Sequence, residues 1–154
     1  MEIEIRKIEN AEEKRRICRV ILEALPEWFG IPEAREEYVS ESADKLFFAA
    51  MDGENSIGFL CLKETGRDTV ELYVMGVLKA RHRTGAGRAL VEAAKRTARE
   101  AGYAFMQVKT VQMGKYAEYD ATNRFYLAMG FKEFEVFPHL WDEWNPCQVY
   151  VMGL

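Results

Sequence analysis

The chain has 154 residues, of which 30% are charged and 49% apolar, with a formal net charge of −4. That length suits one domain, residues 1–154, which can close a core without disulfide or metal staples, and the composition excludes both a disordered chain and a bilayer span. The acidic balance removes a general basis for nucleic-acid binding.

Three cysteines, Cys18, Cys61 and Cys147, are widely spaced and form no C-x-x-C pair, so they read as reduced thiols and no metal site is expected. The first residues alternate charge and aliphatic side chains without the apolar stretch of a secretory signal, so the expected location is cytoplasmic.

In chain order, Glu2 to Lys7 alternates as a half-buried strand. Asn10 is placed to cap a helix to about Leu25, with Ile17, Val20, Ile21, Ala24 and Leu25 as its apolar face. Pro32 opens a short charged helix to about Glu41. Leu46 to Met51 and Ile57 to Lys63 flank the turn cluster Asp52-Gly53-Glu54-Asn55, an antiparallel hairpin signal, and Thr69 to Leu78 continues the meander. A helix from Gly85 to Ala101 follows, with Gly102 at its C-terminal cap. Ala104 to Thr110 then reads as a strand parallel to its predecessor, because a helical crossover joins the two. Thr122 to Met129 reads as a helix stopped by Gly130, and Lys132 to Phe137 and Cys147 to Met152 as two last strands. The sum is a mixed α/β arrangement, helices on a largely antiparallel sheet.

Lys79 to Arg88 is the electrostatic outlier, carrying four cations and His82 without a carboxylate. Pyrophosphate binding needs donors that converge close to the backbone, and Thr84-Gly85-Ala86-Gly87 running into a helix N-terminus offers them, with Arg83 and Arg88 adding charge-assisted bonds. The same residues also suit a plain turn in which Thr84 caps the helix. A P-loop is excluded because Gly87 is followed by Arg88-Ala89, and a dinucleotide fingerprint because Leu90 stands where a third small residue is needed.

The stretch Val77 to Leu90, with its Gly85-Ala86-Gly87 core, resembles the acetyl-CoA motif of the GNAT superfamily of N-acetyltransferases, Gln/Arg-x-x-Gly-x-Gly/Ala after a strand. His82 departs from the usual Gln or Arg. Phe125-Tyr126-Leu127-Ala128-Met129-Gly130-Phe131 resembles the family's Phe-Tyr-x-x-x-Gly-Phe segment, about 40 residues downstream. The resemblance covers nearly the whole chain. It implies a mostly antiparallel sheet splayed between strands 4 and 5, and acetyl transfer from acetyl-CoA to a primary amine, with CoA as product. It also implies that Val77, Leu78, His82, Arg83, Thr84, Gly85, Ala86, Gly87, Arg88 and Asn123 contact the cofactor.

Such a reaction must strip a proton from an alkylammonium of pKa about 10 and give one to the departing thiolate. The resemblance assigns Tyr126 as general acid and Glu71, on the strand before the loop, as general base. Trp28, Phe29, Tyr38 and Trp141 are the expected acceptor contacts: aromatic faces beside carboxylates suit a small cationic amine such as a polyamine or amino sugar. The tryptophans equally suit cover for a sheet edge or a homodimer contact. A second function class, an acyl-CoA-binding module without turnover, is left open by the same residues.

Overall fold

The computed structural model describes residues 2–154. In chain order the elements are β1 (Glu4–Lys7), α1 (Ala11–Glu23), α2 (Pro32–Ser42), β2 (Leu46–Asp52), β3 (Asn55–Gly66) and β4 (Thr69–Val77), then a 3-10 turn at Lys79–Arg81. They continue with α3 (Ala86–Glu100), β5 (Phe105–Val111), α4 (Ala117–Ala128), β6 (Lys132–Phe137) and β7 (Cys147–Gly153). The seven strands run in the order β1-β2-β3-β4-β5-β7-β6. The pairs β1/β2, β2/β3, β5/β7 and β6/β7 are antiparallel, and β4/β5 is parallel, as a helical crossover requires. Among the described residues the parallel ladder holds three pairs, from Thr69↔Phe105 to Glu71↔Gln107. Among the described residues no helix is long and apolar enough to cross a membrane.

The chain divides into two compact units, Met1–Lys63 with Tyr73–Thr97, and Glu64–Leu72 with Ala98–Leu154. In the first, α1 starts because the Asn10 side chain accepts a bond from the Glu13 amide at 2.9 Å. Its buried stripe is Ile17, Cys18, Ile21 and Leu22, continued by Leu25, packed with Phe47, Phe59, Cys61 and Val74. Val20, expected on that face, is 49% exposed. At 100° per residue it lies on the flank opposite the Cys18–Leu22 side of the stripe. Lys14 is buried because its ammonium donates to the carbonyls of Ala43 and Lys45, at 3.3 and 2.7 Å, where α2 ends with unpaired acceptors.

Gly76 makes room for α1. A Cβ there would stand 2.9 Å from Leu25 Cδ1 and 3.0 Å from Ile21 Cγ2. Gly58 is equally constrained, its missing Cβ falling 3.0 Å from the Gly76 carbonyl. Helix, β3 and β4 therefore approach more closely here than side chains permit.

In the second unit Met106 and Val108 of β5 are fully covered, together with Phe131 and Tyr150. The α4 helix begins at Ala117, five residues before the expected Thr122, and its N-cap residue Tyr116 offers no side-chain cap bond. Without a capping residue nothing in the local sequence marks that start. The loop between β6 and β7 is organised by Asp142. Its Oδ1 accepts from the Trp144 and Asn145 amides, both at 2.7 Å, and these bonds hold its carboxyl below the usual range together with the Asn145 side chain.

All three cysteines are buried and unpaired. Burial pushes the Cys18 thiol up to about 12 and the Cys147 thiol up to about 11, and Cys61 is also raised, again chiefly by burial. A raised thiol pKa shrinks the thiolate fraction at neutral pH, so none is suited to carry an acetyl group covalently.

Two measurements check this packing. Gly76→Ala should lower the urea unfolding free energy by about 1–3 kcal/mol through overpacking, whereas Gly66→Ala, whose Cβ would meet nothing within 4 Å, should stay within about 0.5 kcal/mol of the parent. Ellman's reagent at pH 8 should leave the folded protein essentially unlabelled and titrate three thiols once it is unfolded. Rapid labelling of one native thiol would contradict the burial.

Candidate functional site

The chain leaves β4 at Val77, makes the 3-10 turn, and enters α3 through His82-Arg83-Thr84-Gly85. Arg83 has φ 63 and Gly85 has φ 91, two left-handed residues that fold the loop back onto the helix start. Arg83, Thr84, Gly85 and Arg88 are exposed. The first bond of the α3 ladder is donated by the Ala89 amide to the Gly85 carbonyl at 2.9 Å, so the amides of Ala86, Gly87 and Arg88 precede the ladder and have no partner within it. Nothing lies within 4 Å of where a Gly85 Cβ would stand. Gly85 is thus an open backbone position ahead of a positive helix end, with the exposed Arg83 and Arg88 close by in the sequence, which suits a pyrophosphate. The Thr84 hydroxyl donates back to the Arg81 carbonyl, so it closes the turn and does not cap the helix.

His82 bonds through Nε2 to the Val77 carbonyl at 2.8 Å, and its ring meets Trp28 edge-on at 5.9 Å. Lys79 donates to Glu27 at 2.6 Å, holding that carboxyl below its usual range, and Arg81 pairs with Asp52 at 3.0 Å. The imidazole and two of the cations are thus committed to fixing the loop within its own unit. The Leu78 amide donates to the Ile57 carbonyl, and the Leu78 carbonyl accepts from Arg81. Of the backbone groups expected to hold a pantetheine arm, those of Leu78 and the Val77 carbonyl already have partners.

Glu71 is 7% exposed and pairs with Lys109 of β5, Oε1 to Nζ 3.0 Å. Nothing in the local sequence announces Lys109, because the contact arises from strand register: Glu71 faces Gln107, and Lys109 lies two residues further along the same face. On α4, Tyr126 and Asn123 are both buried. Tyr126 lies among Phe125, Phe131 and Tyr150, with the Phe131 ring edge-on at 5.6 Å. The Asn123 amide donates to the Val111 and Tyr119 carbonyls at 2.8 and 2.7 Å, and its oxygen accepts from the Tyr150 hydroxyl. Its hydrogen-bonding capacity is spent on tying α4 to β5 and β7.

In the first unit Trp28, Phe29 and Tyr38 pack over the core with Tyr73. Phe29, Tyr38 and Tyr73 form an edge-on series with centroids 5.9 and 5.3 Å apart. The Tyr73 hydroxyl donates to Glu41, and the Lys45 and Lys63 ammonium groups sit 5.4 and 5.2 Å from the ring centre. Burial and the Glu41 carboxylate raise the Tyr73 phenol well above its ordinary pKa. Trp141 belongs to the second unit, in the Asp142-organised loop, and is 47% exposed. Among the described residues no cluster of His, Cys, Asp and Glu is arranged to hold a metal ion.

Known structures share this fold. No curated protein sequence matches the chain. A GNAT-family protein from Desulfovibrio desulfuricans shares the fold with a TM-score of 0.83 at 22% identity, over 99% of both chains. The ribosomal-protein-S18-alanine N-acetyltransferase from Escherichia coli superposes with a TM-score of 0.78 at 17% identity, over 99% of this chain and 94% of that one. The PaiA N-acetyltransferase from Thermoplasma acidophilum, solved in complex with coenzyme A, superposes with a TM-score of 0.72 at 19% identity, over 97% and 98%. The model of the acetyltransferase (GNAT) domain matches residues 43–133, more than half of the sequence and all of the loop between β4 and α3. The chain therefore belongs to the GNAT acetyltransferases.

Proposed function

We propose that residues 1–154 form one acetyltransferase domain that moves an acetyl group from acetyl-CoA to a small-molecule primary amine by direct attack in a ternary complex. The observation that carries this reading is the open, left-handed backbone at Gly85 just before the start of α3, in a chain of a family whose solved members include coenzyme A complexes. Bound acetyl-CoA supplies the thioester as an activated acyl donor. The amides of Ala86, Gly87 and Arg88 hold the pyrophosphate together with the Arg83 and Arg88 side chains, and Gly85 lets the anion approach. His82 and Thr84 shape the loop from within. The Val77 amide is the backbone group best suited to the pantetheine arm or acetyl carbonyl, and positioning of this kind contributes strongly to rate.

Two proton movements remain. Tyr126 serves as general acid, holding the proton destined for the departing sulfur at its phenol oxygen. Its place in the Phe-Tyr-x-x-x-Gly-Phe segment supports this role. Glu71 accepts the proton of the amine, directly or through water. The acceptor is a small cationic amine. Beside the aromatic series Glu27 is engaged by Lys79 and Glu41 by Tyr73, the Tyr73 face has two ammonium groups near it, and Glu37 adds a further negative charge close to Tyr73. The free thiols suit a reducing compartment, which supports action in the cytoplasm.

Acetyl-CoA at 100 times its Kd should stabilise the protein by about 2.7 kcal/mol, read as a rise in melting temperature, and Gly85→Val should abolish most of that shift. In a thiol-release assay over a panel of amines, Tyr126→Phe should lower kcat at least tenfold with little change in the acetyl-CoA shift. Cofactor binding without any loss of rate in Tyr126→Phe would remove the tyrosine from the chemistry, and binding without turnover on any amine would support a silent acyl-CoA-binding module.

A further inference from the structure

The three-pair parallel ladder ends at Glu71↔Gln107, and Lys109 is the next β5 residue on the Glu71 face. The Glu71–Lys109 pair therefore sits at the end of the ladder. Its geometry is one-sided. Lys109 contacts Oε1, and among the described residues the Glu71 side chain makes no other hydrogen bond or ion pair. Every fully buried side-chain oxygen has a partner. Oε2, which has none, is consequently not sealed from solvent, although the residue as a whole is buried. The carboxylate is clamped by one oxygen and presents the other.

We infer that Lys109 is a positioning residue for the acetyl transfer, holding Glu71 by Oε1 so that Oε2 is aimed at the proton of the incoming amine. This rests on the assignment of Glu71 as base. A largely buried carboxylate with no cation beside it would rotate toward water or toward other donors, and a base that is misplaced by about 1 Å loses much of its advantage.

The test is a double-mutant cycle of steady-state kinetics on the full chain, with acetyl-CoA and the best amine of the panel each varied at a saturating level of the other. Glu71→Gln should lower kcat at least tenfold. Lys109→Met should lower kcat about tenfold while leaving KM for acetyl-CoA within about twofold, and Lys109→Arg should restore most of the rate. In the Glu71→Gln background Lys109→Met should cost less than about twofold more, since the lysine then has no base to position. If Lys109→Met does not fold, Lys109→Gln, which removes the charge and whose shorter side chain does not reach Oε1, is read in its place, with the same losses expected. A parent-like kcat in Lys109→Met, or a full independent loss in the Glu71→Gln background, would overturn the inference while leaving the base assignment standing. A parent-like kcat in Glu71→Gln would overturn both, and that outcome alone reaches the base assignment.

Discussion

The short parallel pairing of β4 with β5 is the constraint on which the arrangement turns. Parallel neighbours cannot be joined by a tight turn, so the chain leaving Val77 must travel through a helix before it returns at Phe105. That obligation creates α3, and with α3 a helix N-terminus immediately after the carboxyl end of a strand. Backbone amides and a positive helix end become available there without any dedicated side chain. Two left-handed residues, Arg83 and Gly85, bend the link back onto the helix start.

The features that the sequence made legible are those decided by single residues whose chemistry allows few alternatives. Asn10 caps α1, Pro32 opens α2, Gly53 turns between β2 and β3 with φ 62, and Gly102 follows α3 with φ 94. Features set by nonlocal geometry were harder to read. The insertion of β7 between β5 and β6 depends on register along two strands, and the early start of α4 lacks a capping side chain. Val20 was placed on the wrong side because aliphatic spacing alone does not fix the centre of a helical stripe.

The same division runs through the site. The glycine loop is contiguous, so its composition exposed it. Lys109 stands 38 residues from its partner and is joined to it by strand alignment. His82, read as a variant of a phosphate-contacting position, spends its Nε2 on the Val77 carbonyl, and Asn123 spends its amide on Val111 and Tyr119. Both illustrate a general point: a polar side chain close to a binding motif is often engaged in holding the motif's backbone, since a buried carbonyl left without a donor is costly.

The close approach at Gly76 bears on how this sequence can change over time. Because its absent methyl would meet Ile21 and Leu25, the three positions share one small volume. A lineage that acquires alanine at 76 keeps its packing density by shortening an aliphatic side chain on α1, and a lineage that enlarges position 21 or 25 must retain glycine opposite. Residues more than fifty positions apart in the chain are therefore bound into one inherited unit of substitution, beside the strand end that leads to the loop.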